Sequence, residues 1–137
     1  MSDDIFCQIA RGELPAAEVA RTDRLVAFLD HRPVFKGHVL IIPVDHVDTL
    51  LDLPPDLMQP LLDLGREIAA ALGTALGAQG SFVAMNNVIS QSVPHLHLHV
   101  VPRSKGDGLR GFFWPRTKYA DGEQQAYAER IRDALRS

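Results

Sequence analysis

The sequence predicts an α+β domain: a mainly antiparallel sheet packed by one long helix, with a second helix at the C-terminus. Three patterns carry that expectation. Between Pro94 and Val101, Leu96, Leu98 and Val100 alternate strictly with His95, His97 and His99, and a period of two marks a strand whose faces differ. From about Leu57 to Leu76, the apolar residues Leu57, Leu61, Leu64, Ile68, Leu72 and Ala75 recur at steps of three and four, which is one face of a helix. Gly37-His38-Val39-Leu40-Ile41-Ile42-Pro43 is a run of strong β-formers stopped by proline. Strands interrupted by a single long helix, without regular βαβ alternation, point to α+β rather than to a parallel sheet.

Taken in order, Ala17–Thr22 and Leu25–Leu29 read as two short strands of a hairpin turning at Thr22-Asp23. The run ending at Pro43 supplies the next strand. The helix follows, with Gly77 as its stop. Pro60 conflicts with a regular start, because proline lacks an N–H and its ring clashes with the preceding turn, so a late start or a bend is expected there. Ser81 to Asn86 reads as a strand, a polar loop continues through Ser92, and the histidine strand comes next. Asp121 is placed to cap a last helix whose Tyr127, Ile131 and Leu135 share one face.

At 137 residues, with 46% apolar and 23% charged residues, the chain suits one domain, residues 1–137, able to bury a core without staples. The single cysteine, Cys7, excludes an internal disulfide and fits a reducing compartment. The acidic start Met1-Ser2-Asp3-Asp4-Ile5 is unlike a signal peptide, and no apolar run is long enough to span a bilayer; a cytoplasmic protein is expected. Net charge is −3, which disfavours long nucleic acid as a partner. Yet Arg103, Lys105, Arg110, Arg116 and Lys118 face only Asp107 in their segment. A local excess of that kind suits a small polyanion.

Three of the six histidines on one strand face are a chemical statement, since imidazole can bind metal, move protons or attack an electrophile near neutral pH. Consecutive pairs are spaced by roughly 7 Å, so the full row is poorly placed for one tetrahedral ion. For nucleophilic attack, one ring nitrogen must be unprotonated while the other N–H is held by an acceptor. No carboxylate lies in or beside the motif, which leaves a backbone carbonyl as the nearest candidate. The preceding loop, Ser90-Gln91-Ser92-Val93, brings hydroxyl, amide and backbone donors to the same region. Donors gathered about a nucleophile suit a phosphoryl centre.

Gln91-Ser92-Val93-Pro94-His95-Leu96-His97-Leu98-His99-Val100-Val101 closely resembles the signature of the histidine triad (HIT) superfamily. Ile5-Phe6-Cys7 with Gly12-Glu13-Leu14-Pro15, Ala27-Phe28-Leu29-Asp30, the Gly37–Pro43 run and His46 are similar to family segments in the same order, so the resemblance covers about residues 5–105 and leaves 106–137 as an extension. It implies a hydrolase or transferase acting at a nucleotide α-phosphate, with a purine nucleotide as substrate and no required cofactor. His97 is then the nucleophile, forming a transient nucleotidyl-histidine; His99 contacts phosphate or leaving group; His95 and His38 support the network. Asp30 corresponds to the residue that holds the ribose, with His31 near the base. Ser90, Gln91 and Ser92 correspond to the phosphate-side loop, and Asn86 to the polar residue ending the strand before it. This loop is shorter than the family's and lacks its usual glycine before the glutamine, so Asn87 competes with Asn86 for that role.

Bacterial relatives resemble zinc proteins that use a Cys-x-x-Cys, the histidine after the Ile-Pro segment and the first triad histidine. Here aspartate replaces the first cysteine, leaving Asp4, Cys7, His46 and His95. That departure favours loss of the structural zinc over its retention. Two enzymatic branches stay open. Val101-Pro102-Arg103-Ser104-Lys105-Gly106-Asp107 resembles the Fhit-like continuation and leans towards dinucleoside polyphosphates, whose phosphates a divalent cation accompanies; the Hint-like alternative is an adenosine phosphoramidase. A non-enzymatic nucleotide-binding module is the rival from another class. The resemblance also implies a homodimer, for which Phe112, Phe113 and Trp114 are candidate anchors.

Overall fold

The computed structural model describes residues 3–109 and 115–137. The chain divides into two compact units, Met1–Asp107 and Gly108–Ser137. The first unit contains α1 (Ile5–Ala10), β1 (Glu18–Arg21), β2 (Leu25–Leu29), β3 (Val39–Pro43), a 3-10 turn (Leu50–Asp52), α2 (Pro55–Leu76), β4 (Gly80–Ala84) and β5 (Leu98–Arg103); the second contains α3 (Glu123–Arg136). The five strands form one sheet in the order β1-β2-β3-β5-β4, with every adjacent pair antiparallel. The α+β expectation holds.

Alternate residues of the central strands enter two separate cores. Leu25 and Ala27 of β2, Val39 and Ile41 of β3, and Leu98 and Val100 of β5 pack with Leu57, Leu61, Leu64, Ile68 and Leu72 of α2. Val26, Phe28, Leu40 and Ile42, on the opposite face, pack with Phe6 and Ala10 of α1. Coverage of both faces explains why β2 and β3 are apolar almost throughout rather than alternating in polarity. Helix α2 approaches β5 so closely that a Cβ added at Gly65 would lie 3.2 Å from Leu98 Cδ2. Gly77, at φ 72°, ends the helix in the left-handed conformation that glycine adopts without a side-chain clash.

Several local expectations need correction. Helix α2 does not start late: Pro55 occupies its first turn, where no N–H is needed, and Pro60 is carried within the helix. The hairpin strand β1 is shorter than Ala17–Thr22, its register broken between Glu18 and Ala20. The strand expected over Ser81–Asn86 runs instead from Gly80 to Ala84. The histidine strand begins only at Leu98, so His95 and His97 belong to the segment entering β5. There the chain serves other bonds: Leu96 N–H donates to Val47 O at 2.7 Å. Asp121 does not cap the last helix. Gly122, at φ 77°, holds that position without a side-chain bond, while Glu123 Oε1 accepts from Ala120 N–H at 2.8 Å.

In the second unit, Tyr127, Ile131 and Leu135 of α3 are exposed, and Tyr127 packs edge-on against Tyr119 with ring centroids 5.8 Å apart. Phe112, Phe113 and Trp114 lie outside the described residues. Among the described residues, no helix is long and apolar enough to cross a membrane.

Candidate functional site

Strand order explains why residues far apart in sequence converge. Asp30 follows β2, His38 precedes β3, and His97 and His99 bracket the start of β5; these three strands are neighbours in the sheet. His99 lies opposite Leu40 in the β3–β5 register, which puts it on the face covered by α1. A cavity of about 130 Å³ opens there, with an apolar wall of Ile5, Ile9, Phe28, Leu40 and Val93 and a polar end formed by Asp30, His31, Ser92, His97 and His99. Phe6 lies edge-on to His97, centroids 5.1 Å apart.

Proton positions follow from which partners can only donate or only accept. A backbone N–H can only donate, so Val34 N–H at 3.1 Å from His38 Nδ1 leaves that nitrogen unprotonated. The proton of neutral His38 is then on Nε2, which donates to His99 Nδ1 at 2.9 Å. His99 must in turn carry its proton on Nε2. A carbonyl can only accept, so the 2.8 Å contact between His97 Nδ1 and His95 O puts the His97 proton on Nδ1 and leaves its Nε2 lone pair free. Among the described residues nothing hydrogen-bonds that lone pair. The result is one bare nucleophilic nitrogen beside one N–H donor, with ring centroids of His97 and His99 5.1 Å apart.

Electrostatics keep the donor neutral. Burial, reinforced by the neighbouring His97 and His38 rings, lowers the pKa of His99 to about 4. Burial also lowers His38, partly offset by the carboxylate of Asp30. Asp30 Oδ1 accepts from Arg32 N–H at 2.9 Å, while Oδ2 lies 3.7 Å from His38 Nδ1. Although Asp30, His38 and His99 are near enough to share an ion, the nitrogens His38 and His99 turn towards one another are already spent on their hydrogen bond.

The predicted phosphate-side residues divide. Ser92 lines the cavity, whereas Ser90, Gln91 and Asn86 do not. Gln91 is a brace: its Nε2 donates to Asp48 O at 2.7 Å, and its Oε1 accepts from Val88 N–H at 3.0 Å. Asn87 Oδ1 accepts from Leu50 N–H at 2.7 Å, so of the two asparagines Asn87 is the one tied to the turn before α2. Val88 and Ser90 have φ of 69° and 62°, a region that costs a non-glycine residue roughly 1–2 kcal/mol. Ser90, directly before Gln91, thus holds a backbone conformation that favours glycine.

A second cluster gathers Asp4, Cys7, His46 and His95, with one donor atom from each, all within 4.8 Å of one another. His95 Nε2 donates to Pro43 O at 2.8 Å, so its unprotonated Nδ1 points to Cys7 Sγ at 3.5 Å and Asp4 Oδ1 at 3.2 Å. His46 Nε2 donates to Asp48 Oδ1 at 2.5 Å, so its unprotonated Nδ1 points to Cys7 Sγ at 3.4 Å and Asp4 Oδ2 at 3.0 Å. Asp4 Oδ2 is buried without a hydrogen bond among the described residues. Burial pushes the Asp4 carboxyl up, but the hydrogen bond from Cys7 N–H and the attraction of the His95 and His46 rings when protonated bring it below its ordinary value; burial raises the Cys7 thiol. Acceptor atoms of His95, His46 and Asp4 thus surround the protonated Cys7 thiol at one buried point, and a cation bound there would displace the thiol proton. The spacings are close to the roughly 3.3–3.8 Å edges of a tetrahedron built from zinc bonds to N, O and S. The residues fit such an ion despite the cysteine-to-aspartate change.

Sequence reasoning had not singled out Asp48, the carbonyl of Pro43 or the N–H of Val34. His46-Val47-Asp48 spacing was a usable signal for the first; backbone groups leave no signal in side-chain identity.

Comparison with known proteins identifies the family. The HIT domain family model matches residues 11–106. A crystal structure from Streptococcus mutans superimposes with TM-score 0.89 at 31% identity, covering 98% of this chain and 87% of that one. A zinc-bound histidine triad family protein from Mycobacterium smegmatis has TM-score 0.74 and 34% identity, with 95% and 96% coverage. The adenosine 5′-monophosphoramidase hnt1 of Schizosaccharomyces pombe is 31% identical over 134 residues, 96% of this chain and 98% of that protein. On its triad, its sheet and the breadth of this similarity, the chain belongs to the HIT family.

Proposed function

We propose that the protein hydrolyses nucleoside 5′-phosphoramidates, attacking the α-phosphorus with Nε2 of His97. The observation that carries this reading is the hydrogen bond from His97 Nδ1 to His95 O, 2.8 Å, which leaves the attacking lone pair bare. A bond forms between His97 Nε2 and phosphorus as the bond to the leaving nitrogen breaks. The electron pair goes to that nitrogen, which takes a proton from water. The His97 ring becomes cationic, its Nδ1–H held by the carbonyl. His99 Nε2–H donates to a phosphoryl oxygen or to the departing atom; held neutral by burial, it acts as a fixed dipole. A second water then attacks phosphorus, its proton neutralising the hydroxide left by the first step, and the P–N bond to His97 breaks with its electron pair returning to Nε2, which restores the neutral imidazole. Asp30 holds the ribose hydroxyls, and the apolar wall of the cavity receives the purine base, with His31 at its edge.

The named activity of the S. pombe relative favours P–N substrates. A second reading, dinucleoside polyphosphates, draws on the basic segment from Arg103 to Lys118. Its first member, however, is bound by Asp107, with Arg103 Nε donating to Oδ2 at 2.6 Å and Nη2 to Oδ1 at 3.2 Å. Steady-state assays with adenosine 5′-phosphoramidate and diadenosine tri- and tetraphosphate separate the two. At least tenfold higher kcat/KM for the phosphoramidate is expected. Faster cleavage of the polyphosphates selects the second reading, and nucleotide binding without hydrolysis of any of them selects a binding module.

The reading includes a structural zinc held by Asp4, Cys7, His46 and His95. When bound, it neutralises the clustered lone pairs and staples the N-terminal segment to β3 and the entry to β5; it is not a participant in phosphoryl transfer. It also includes a homodimer. An apolar groove of about 570 Å³ between α2 and the sheet edge, lined by Val19, Leu29, Leu64, Ile68, Leu72 and Leu76 among others, is the surface offered to the second copy. Sedimentation equilibrium at micromolar concentration checks this, with a dimer expected.

A further inference from the structure

We propose that Asp48 is the positioning residue of the metal centre, and that through its backbone metal binding orders the loop of residues 86–92 beside the triad. The proposal rests on the zinc reading above. Its basis is a continuous chain of bonds on both sides of one residue. On the side-chain side, the Asp48 carboxylate takes the Nε2 proton of His46. This fixes the tautomer that presents Nδ1 to Asp4 and Cys7, as outer-sphere carboxylates do for metal-bound histidines. On the backbone side, Asp48 O accepts from Gln91 Nε2 at 2.7 Å, and Gln91 Oε1 holds Val88 N–H at 3.0 Å.

The same two segments are joined again two residues on, where Leu50 N–H donates to Asn87 Oδ1 at 2.7 Å. Between these ties the chain is stiffened by a reciprocal cap: Leu51 N–H donates to Thr49 Oγ1 and Thr49 N–H to Asp52 Oδ2, at 3.2 and 3.3 Å. The tethered loop holds Val88 and Ser90 in left-handed conformations that their side chains disfavour. Such a loop keeps its shape only while its tethers are held. An ion that locks His46 locks Asp48, and with it the acceptor on which Gln91 depends.

The test uses the full chain with Zn²⁺ as the probe. Zinc affinity is measured by competition with a chromophoric chelator for wild type, Asp48→Asn, Asp48→Ala and Gln91→Ala. Amide exchange of residues 86–92 is followed with and without the metal, and the His46 tautomer of the metal-free protein is read from its ¹⁵N shifts. Wild type should show His46 as the Nε2–H form, bind one zinc, and exchange the loop amides several-fold more slowly when loaded. Asp48→Ala should mix the tautomers and lose about 10- to 100-fold in zinc affinity. Asp48→Asn, which keeps an acceptor oxygen, should recover most of it. Gln91→Ala should keep zinc affinity and lose the zinc-dependent protection.

Wild-type zinc affinity in Asp48→Ala overturns the proposal and leaves the metal centre standing. Loop exchange indifferent to zinc in wild type, or still zinc-dependent in Gln91→Ala, overturns the coupling. Wild type that takes up no zinc removes the centre and the proposal together.

Discussion

Two histidine clusters lie side by side, sharing His95, and are wired in opposite ways. Around His38, His97 and His99 each hydrogen bond settles the next: Val34 N–H to His38, His38 to His99, and His97 to the His95 carbonyl. One lone pair and one N–H are left over, facing the cavity. Around Asp4, Cys7, His46 and His95 the outer nitrogens are satisfied by Pro43 O and Asp48, and the Nδ1 atoms turn inwards to Asp4 and Cys7. On the proposed reading, similar residues would serve an electrophilic phosphorus at one site and a cation at the other. What distinguishes them is the set of groups that bind the far side of each ring, not the rings themselves.

The comparison can be broken most directly at His97. His97→Ala should reduce turnover by at least about 10⁴-fold, the order seen when an activated nucleophile is deleted, while nucleotide binding by titration persists. His99→Ala, which removes a donor but not the nucleophile, should cost only ~10²–10³-fold. Equal losses in the two variants would erase the proposed division of roles.

The pH dependence of stability sharpens the same contrast. Folding favours neutral His99, whose pKa falls from 6.5 to about 4, so protonation favours the unfolded chain. The contribution is complete above pH 6.5, fades as pH falls towards 4 and is then lost, amounting to about 3 kcal/mol. His38 and His95, also lowered by burial, act in the same direction. Urea unfolding of metal-free protein between pH 7.5 and 4.5 should show this decline, and His99→Gln should show a shallower one. An unchanged slope in the variant would assign the effect elsewhere.

Smaller effects are expected at the margins of the cavity. Asp30→Ala should weaken nucleotide binding by about 1–3 kcal/mol, since the ribose hydroxyls lose their acceptor; ribo- and 2′,3′-dideoxyribonucleotides should differ for wild type and not for the variant. Ser90→Gly should raise stability by about 0.5 kcal/mol, because relief of a left-handed serine exceeds the entropy cost of glycine. A lower denaturation midpoint would show that the Ser90 side chain contributes more than its backbone strain costs.

The alternation of Leu96, Leu98 and Val100 with the histidines, and the three- and four-residue spacing in α2, predicted a strand and the long helix, while the class of chemistry came from the family resemblance around the triad. Both are periodicities of the backbone, and a backbone repeat is written directly into residue order. Asp30 and His38 were legible through their order along the chain, once the triad had been read. Tertiary structure alone decided the proton positions, because these depend on the carbonyls of His95 and Pro43 and the N–H of Val34, groups every residue type carries. It also decided that Gln91 braces the loop instead of lining the cavity, and that an aspartate at position 4 still faces Cys7, His46 and His95. A donor set is a matter of direction and distance between segments remote in sequence, and residue order along one chain records neither.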